Sequence, residues 1–263
     1  MSNSIHDKET VNDHQTQIKQ TIPDGCIQHS LTKSILMHLL PGIPILLFYL
    51  ITAPYFMRLG FPPAFALSLA AAVVLIPVEM GILLYVSKKT SGMLSLRSIL
   101  PSRKPVPWRQ SVFYCLVIVA WSCFILIVFS KPIGGFITDT LFSWVPPWFI
   151  DSNPFEGTKP VLIVTWTMIL VFGSVLGPAV EEFYFRGYLL PRISHCKGWA
   201  PVLNAFLFSA YHFWSPWEVI TRAIAVFPVS FVAYKKQNIY IGMIAHLILN
   251  IIFTLFMLPW ILK

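Results

Sequence analysis

Residues 178–187 read PAVEEFYFRG, a stretch in which two adjacent carboxylates and an arginine interrupt an otherwise apolar run. A charged side chain at the centre of a bilayer costs at least a few kcal/mol, so ionisable residues there need partners and mark functional sites. Two later stretches offer such partners, namely FSAYH at residues 208–212 and HLILN at residues 246–250. Whether these three stretches meet decides what the chain can do.

The composition is that of an integral membrane protein. The 263 residues are 56% hydrophobic and only 11% charged, whereas soluble domains are about 25% charged. The formal net charge of +8 is explained by basic residues in cytoplasmic loops, so nucleic acid is not an expected partner. The four cysteines have no paired or CxxC spacing and are interpreted as free thiols.

Seven apolar runs predict an all-α fold, that of a polytopic membrane protein with about seven transmembrane helices around an intramembrane polar cavity. The run that contains PAVEEFYFRG is longer than a simple span, and Pro178 is expected to break or kink it. Polar residues at 205–234 also allow a short or re-entrant helix there. The predicted spans are residues 34–57, 63–87, 111–130, 160–193, 199–216, 218–234 and 239–260.

Three regions follow from these runs. Residues 1–33 are polar and predict a flexible tail, residues 34–110 hold two helices and a basic loop, and residues 111–263 form the membrane core. The loop at residues 88–110 has six basic residues and no acidic one, which favours the cytoplasmic side. With that assignment, 14 of the 19 Lys and Arg lie inside and five outside. The N-terminus is therefore predicted to be cytoplasmic.

The polar motif residues are predicted to lie at similar depths in the bilayer. At a rise of about 1.5 Å per residue, Glu181 lies about 18 Å and His212 about 20 Å from the cytoplasmic ends of their helices. On the same basis His246 and Asn250 lie about 10 and 16 Å deep. The hydrocarbon core is about 30 Å thick, so all four fall in its middle half. Because the spans are independent, this agreement favours one shared site.

Helical spacing within each stretch predicts which side chains share a face. Glu182 and Arg186 are four residues apart and can pair. Glu181 is rotated from Glu182 by about 100°, so one carboxylate can face a cavity while the other pairs with the arginine. His246 and Asn250 are also four apart and can point into the same cavity.

Such a set of residues can activate water. A carboxylate in a low-dielectric cavity is a usable general base, and a neutral histidine beside it can orient the water. A second histidine and an asparagine amide can donate hydrogen bonds to an oxyanion. By residue type, Glu181, His212 and His246 also match a zinc ligand set, although the HExxH signature is absent. Metal-free hydrolysis with no required cofactor is the preferred interpretation, and a zinc site is the alternative.

The motifs EExxxR at residues 181–186, FxxxH at residues 208–212 and HxxxN at residues 246–250 resemble, in order and spacing, those of the CPBP intramembrane proteases. That family includes the type II CAAX prenyl endopeptidases and bacteriocin-processing or immunity proteins. The resemblance covers about residues 110–260. It implies an all-helical catalytic core, here 111–263, with a cavity open toward the cytosol and the lipid.

The resemblance also implies a role for each motif residue. Glu181 with His212 would activate the water, and His246 with Asn250 would form the oxyanion hole. The family is treated as glutamate-type after an earlier description as metal-dependent, so the zinc alternative stays open. Three further residues would support the site, namely Glu182, Arg186 and Phe208.

Five ionisable residues outside the motifs receive structural interpretations. His38 and His195 are expected at the membrane interface. Glu218 and Arg222, four residues apart near the outer face, are expected to form a surface pair. Glu79 is expected at the interface or paired with another helix, and a supporting position in the cavity is the alternative.

Two functions of different classes fit this pattern. The first is an intramembrane endopeptidase that hydrolyses a peptide bond near the cytoplasmic side. The second is a non-catalytic membrane immunity protein, scaffold or transporter-like binder that uses the same cavity. The complete set of motif residues favours the enzyme, and the sequence lacks the internal repeat typical of transporters. The expected partners are a peptide or lipidated-peptide substrate and the lipid bilayer of a bacterial cell membrane, and the motifs carry no signal for an oligomeric state.

Overall fold

The protein is an all-helical bundle. The computed structural model describes residues 26–100, 104–150 and 157–262, and those residues contain no β-strand. Each predicted span coincides with a helix, which confirms the all-α, multi-pass architecture. The seven apolar helices of the described residues are α1 (Leu31–Arg58), α2 (Pro63–Ser91), α3 (Trp108–Leu141), α4 (159–189), α5 (Ala200–Ala210), α6 (Val219–Lys236) and α7 (Ile239–Leu255).

The helices differ in whether they can cross a bilayer. Five helical stretches are long and apolar enough to span it by length and composition, and α7, with 17 residues, is shorter. Helix α5 has 11 residues, which correspond to about 16 Å, half of a hydrocarbon core of about 30 Å. The span predicted at 199–216 is therefore too long, and the short helix is the observed form. The chain turns at residues 211–215 instead.

Of the break or kink predicted at Pro178, the break is not observed, because helix α4 continues through this residue. A π-helical segment, Ile169–Leu176, precedes the proline, and a second one, Glu182–Leu189, follows it. Such wider turns accommodate irregular hydrogen bonding and often occur at functional sites. The helical path is interrupted later, where Ile193 and Lys197 have non-helical backbone angles.

Helix α4 is the centre of the bundle. Its segment 177–189 contacts α1, α2, α5, α6 and α7. The Tyr184 and Phe185 side chains of this segment are fully buried, and the Tyr184 hydroxyl donates a hydrogen bond of 2.6 Å to the carbonyl oxygen of Met37 on α1. The charged residues of α4 are thereby held among five other helices.

The segment before α1 packs against the end of α4. The sequence predicted a flexible tail at residues 1–33. Residues 1–25 of this tail lie outside the described residues. Gln28 Nε2 donates to the carbonyl oxygen of Pro191 at 3.1 Å, and the His29 amide donates to that of Arg192 at 2.8 Å. Ser30 then caps α1 by accepting a hydrogen bond from the Lys33 amide.

Candidate active site

A cavity of about 360 Å³ brings the three sequence motifs together. It lies among α2, α4, α6, α7 and the turn that follows α5, and its apolar walls come mainly from α2 and α4. The predicted site residues that line it are Glu181, Phe208, His212, His246 and Asn250. Stretches up to 70 residues apart in the sequence thus share one space.

Glu181 and His212 face each other in this cavity. The His212 ring nitrogen Nδ1 lies 2.8 Å from the carbonyl oxygen of Phe208. Because a carbonyl oxygen only accepts, Nδ1 carries the proton, and Nε2 of the neutral ring is a proton acceptor. Nε2 lies 3.9 Å from Glu181 Oε1, a separation too long for a direct hydrogen bond but one that a shared water can bridge.

Tyr211 completes the surroundings of Glu181 and was not predicted from the sequence. Its side chain is fully buried, and its hydroxyl donates a hydrogen bond to Glu181 Oε1. Tyr211 follows the last residue of α5 and directly precedes His212. No spacing rule links it to a glutamate 30 residues earlier, and its inclusion in the FSAYH stretch is the one sequence signal that could have identified it.

Glu182 is turned away from Glu181 and is completely buried. Its Oε1 lies 3.2 Å from an Arg186 terminal nitrogen and accepts a hydrogen bond of 2.9 Å from His246 Nδ1. The structure therefore brings together the pair that the four-residue spacing indicated, and adds His246 to it. Because Nδ1 is engaged, Nε2 of His246 is the nitrogen left for a ligand in the cavity.

A chain of buried polar side chains extends from Arg186 to α1. Arg186 Nε donates to Ser230 Oγ at 3.4 Å, and Ser230 donates to Asn204 Oδ1 at 2.9 Å. Asn204 Nδ2 lies 3.1 Å from His38 Nε2, and His38 Nδ1 donates to the carbonyl oxygen of Ser34 at 2.7 Å. His38 is fully buried inside the bundle, and its interfacial depth stays a prediction.

The Phe208 ring is held by several close contacts, whereas the Asn250 side chain is held by a long hydrogen bond. The Phe208 ring is buried, and the Arg186 guanidinium carbon lies 4.0 Å from its centroid, a cation–π contact. The ring also meets the His212 and His246 rings at centroid distances of 5.0 and 6.1 Å. Asn250 is held loosely, since its Nδ2 reaches the Gly173 carbonyl oxygen only at 3.5 Å. Its amide is thus available to a ligand.

The predicted surface pair of Glu218 and Arg222 is wrong. Glu218 Oε2 accepts hydrogen bonds from Ser130 at 2.8 Å and from Thr221 at 2.7 Å. Arg222 instead lines the cavity, where its guanidinium donates to Ser215 Oγ at 2.8 Å. A cation that the sequence placed outside therefore belongs to the candidate site.

Glu79 lies inside the helix bundle. It is fully buried on α2, and neither carboxyl oxygen has a hydrogen-bond partner within the described part of the chain. Glu79 is also not one of the residues that line the cavity. Its side chain nevertheless lies close enough to Glu181 and Arg186 to interact electrostatically with both. His195, the other histidine expected at the interface, bonds to Gln28 near the end of α4.

The zinc alternative stays an untested hypothesis, because each histidine of the possible ligand set keeps its Nε2 for a ligand. His246 Nδ1 bonds to Glu182, and His212 Nδ1 bonds to a backbone carbonyl oxygen. Across residues 26–100, 104–150 and 157–262, no group of three His, Cys, Asp or Glu side chains is close enough to hold a metal ion.

Comparison with known families agrees with the geometry. The family model described as "Type II CAAX prenyl endopeptidase Rce1-like" matches residues 163–252, about a third of the chain. The match includes Glu181, His212, His246 and Asn250, is consistent with the CPBP family and supports a CAAX-type intramembrane protease. Searches of curated proteins and of solved structures gave no significant match.

Proposed function

We propose that the protein is an intramembrane endopeptidase whose base is Glu181, acting on a water shared with His212. The match of residues 163–252 to the type II CAAX prenyl endopeptidase family is the starting point. The observation that carries the proposal is the 3.9 Å gap between Glu181 Oε1 and His212 Nε2 inside the cavity. Both atoms are hydrogen-bond acceptors, so one water can donate to each of them.

Hydrolysis would proceed without a covalent enzyme intermediate. Glu181 takes a proton from the water as its oxygen attacks the carbonyl carbon of the substrate. The proton then passes to the amide nitrogen as the carbon–nitrogen bond breaks, which leaves a carboxylic acid and an amine. Tyr211 would hold Glu181 in position through its hydrogen bond to Oε1.

His246 and Asn250 are placed to stabilise the oxyanion. The Asn250 amide is free to donate, and His246 Nε2 faces the cavity once Nδ1 is bonded to Glu182. To donate from Nε2, the ring must carry protons on both nitrogens. Glu182 accepts the hydrogen bond from Nδ1, and a doubly protonated ring would place a cation beside the oxyanion and strengthen the stabilisation.

The experiment that tests this proposal compares purified wild type with Glu181→Gln in water enriched in oxygen-18. Prenylated and unmodified peptides ending in a cysteine followed by three residues are incubated with each protein, and the products are analysed by mass spectrometry. We expect one heavy oxygen in the new carboxylate with wild type and a rate at least about a thousandfold lower with Glu181→Gln. Asp139→Asn, which changes an exposed carboxylate on α3, is the control and should cleave like wild type.

The same assay separates the competing interpretations. Equal cleavage by wild type and Glu181→Gln would reject Glu181 as the base. A reaction that a strong chelator abolishes and zinc restores would reject the metal-free mechanism. If wild type cleaves neither peptide class, the result would favour the non-catalytic binder over the enzyme.

A further inference from the structure

The buried chain of polar side chains that begins at Arg186 is not used by the proposed hydrolysis. Its members come from α1, α4, α5 and α6, are fully buried and do not line the cavity. Polar groups inside a membrane protein are costly unless they are paired, and they are kept for a function or a partner. In order along the chain, the members are Arg186, Ser230, Asn204, His38 and Ser34.

Asn204 is the branch point of this chain and holds α4 at two points. Its Nδ2 donates a hydrogen bond of 3.0 Å to the carbonyl oxygen of Phe185, which directly precedes Arg186 in the π-helical segment Glu182–Leu189. Its Oδ1 accepts a hydrogen bond of 2.9 Å from Ser230, and Ser230 accepts one of 3.4 Å from Arg186 Nε. Asn204 thus fixes the backbone in front of Arg186 and, through Ser230, the arginine side chain.

The hydrogen bonds of the chain all point away from Arg186. An arginine only donates and a backbone carbonyl oxygen only accepts, so each end of the chain allows one direction. At the centre, the bond to the Phe185 carbonyl oxygen identifies Nδ2 of Asn204, which also donates to His38 Nε2 at 3.1 Å. His38 is therefore neutral and carries its proton on Nδ1, which lies 2.7 Å from the carbonyl oxygen of Ser34.

This common direction turns the acceptor ends of the chain toward the guanidinium. Hydrogen bonds aligned in this way polarise one another and stabilise a buried cation. A terminal nitrogen of Arg186 lies 3.2 Å from Glu182 Oε1, which accepts a hydrogen bond of 2.9 Å from His246 Nδ1. A chain that fixes Arg186 therefore also fixes the Glu182 carboxylate and the His246 ring.

We propose that Asn204 is a positioning residue for the reaction, an inference that rests on the proposed endopeptidase function. Asn204 fixes Arg186, and Arg186 orients Glu182. Glu182 in turn holds the ring of His246, the proposed oxyanion donor. Because Asn204 does not line the cavity, its loss weakens the stabilisation of the oxyanion and leaves the binding of substrate unchanged.

Turnover measured well below the unfolding temperature tests this role. Asn204→Ala should lower kcat at least about tenfold and leave KM unchanged. Ser230→Ala breaks the chain but keeps the bond from Asn204 to Phe185, so it should lower kcat by a smaller factor. The double variant Asn204→Ala/Ser230→Ala should lose no more activity than Asn204→Ala, because both substitutions act on one chain.

Ser122→Ala is the matched control for these substitutions. It removes an equally buried serine hydroxyl that bonds across helices, to the Ala225 carbonyl oxygen at 2.8 Å, and that has no part in the chain. This variant should keep the kcat of wild type. Thermal unfolding shows which variants retain the fold, and Ser230→Ala carries the test if Asn204→Ala does not fold.

The histidine ring nitrogens give a readout that requires no turnover. We would label the protein with nitrogen-15 histidine and record its nuclear magnetic resonance spectrum in phosphatidylcholine nanodiscs. The His38 signals, assigned by their loss in His38→Gln, should show a proton on Nδ1 and none on Nε2. Asn204→Ala should shift the Nδ1 signal of His246, and Ser122→Ala should leave it unchanged.

Three results would overturn the inference. A wild-type kcat for Asn204→Ala, or a loss no larger than that of Ser122→Ala, would reject the positioning role. Additive losses in the double variant would show that Asn204 and Ser230 act separately. A proton on His38 Nε2 would reverse its link to Asn204 and remove the common direction of the chain.

The two readouts separate this inference from the proposed function. If wild type cleaves no peptide but Asn204→Ala still shifts the His246 signal, the positioning chain is retained and the endopeptidase is rejected. If wild type cleaves peptide and Asn204→Ala changes neither kcat nor the His246 signal, only the positioning role is rejected.

Discussion

Two adjacent glutamates have different surroundings, and this predicts opposite effects of substitution. Glu182 is completely buried between Arg186 and His246, whereas Glu181 lines the cavity. Removal of one partner of a buried ion pair typically costs about 3–5 kcal/mol because the other charge stays buried and unpaired. We therefore expect Glu182→Ala to lower the melting temperature strongly. Glu181→Gln should melt like wild type and lose activity.

This contrast is measured by thermal unfolding in detergent together with the peptide assay. Glu182→Gln keeps the shape and one hydrogen-bond acceptor, so it should melt between wild type and Glu182→Ala. If Glu181→Gln and Glu182→Ala lose equal stability, the division into a cavity-facing and a structural carboxylate is wrong.

Tyr211 is predicted to be a positioning residue for Glu181. Its hydroxyl donates to the carboxylate oxygen that also faces His212. A hydrogen bond to a charged group contributes about 1.5–3 kcal/mol, so Tyr211→Phe should lower kcat about tenfold. KM should change little because Tyr211 does not line the cavity.

The matched control for Tyr211→Phe is Tyr184→Phe. Tyr184 is equally buried, but its hydroxyl bonds to the Met37 carbonyl oxygen and not to Glu181. Both variants lose one buried hydroxyl, so a similar loss of stability is expected. Equal values of kcat for the two variants would show that the Tyr211 hydroxyl has no special part in the reaction.

At the scale of elements, the contact between α1 and the turn after α5 determines where His212 lies. Gly42 on α1 approaches this turn so closely that a Cβ atom would overlap the Tyr211 carbonyl oxygen and lie 2.9 Å from the Phe213 ring. Overpacking of this kind costs about 1–3 kcal/mol. Gly42→Ala should therefore lower both the melting temperature and the rate of cleavage, because the turn that carries His212 must move.

Gly81→Ala is the control for this contact. Gly81 lies inside α2, and a Cβ atom there would meet no neighbour within 4 Å. Because alanine favours a helix over glycine by up to about 1 kcal/mol, this variant should be neutral or slightly more stable. If Gly42→Ala melts and cleaves like Gly81→Ala, the α1 contact does not hold the turn in place.

For the molecule as a whole, sequence spacing predicted those features of the site that are set within a single helix. Four-residue spacing predicted the contact of Glu182 with Arg186, and estimated depths suggested that Glu181 and His212 share a level. Two further residues that come from other helices, Tyr211 and Arg222, were missed. Which face of a helix meets another helix depends on crossing geometry and on irregular turns, and a sequence pattern does not specify either.

The same limit applies to the length of α5. The apolar residues at 199–216 fit a full span, but Ala210 ends the helix and the chain turns back within the bundle. The backbone groups at the end of a helix have no partner within the helix itself. Where that end is enclosed by protein, neighbouring elements can supply their hydrogen bonds, so a short helix is tolerated at membrane depth. His212 therefore lies at a helix end, where its Nδ1 can reach the Phe208 carbonyl oxygen.

The predicted orientation of the whole molecule in the membrane determines from which side substrate reaches the cavity. Arg58 precedes α2 and Lys89 lies near its end, and both side chains are exposed. A helix of 29 residues is about 43 Å long, more than the thickness of a bilayer core. The positive-inside rule places Lys89 in the cytoplasm and Arg58 outside.

In a cysteine-free background, Arg58→Cys should react with an impermeant maleimide added to intact cells, and Lys89→Cys should react only after permeabilisation. The opposite labelling would invert the topology and place the N-terminus outside, and it would require substrates to be delivered from the other face of the membrane.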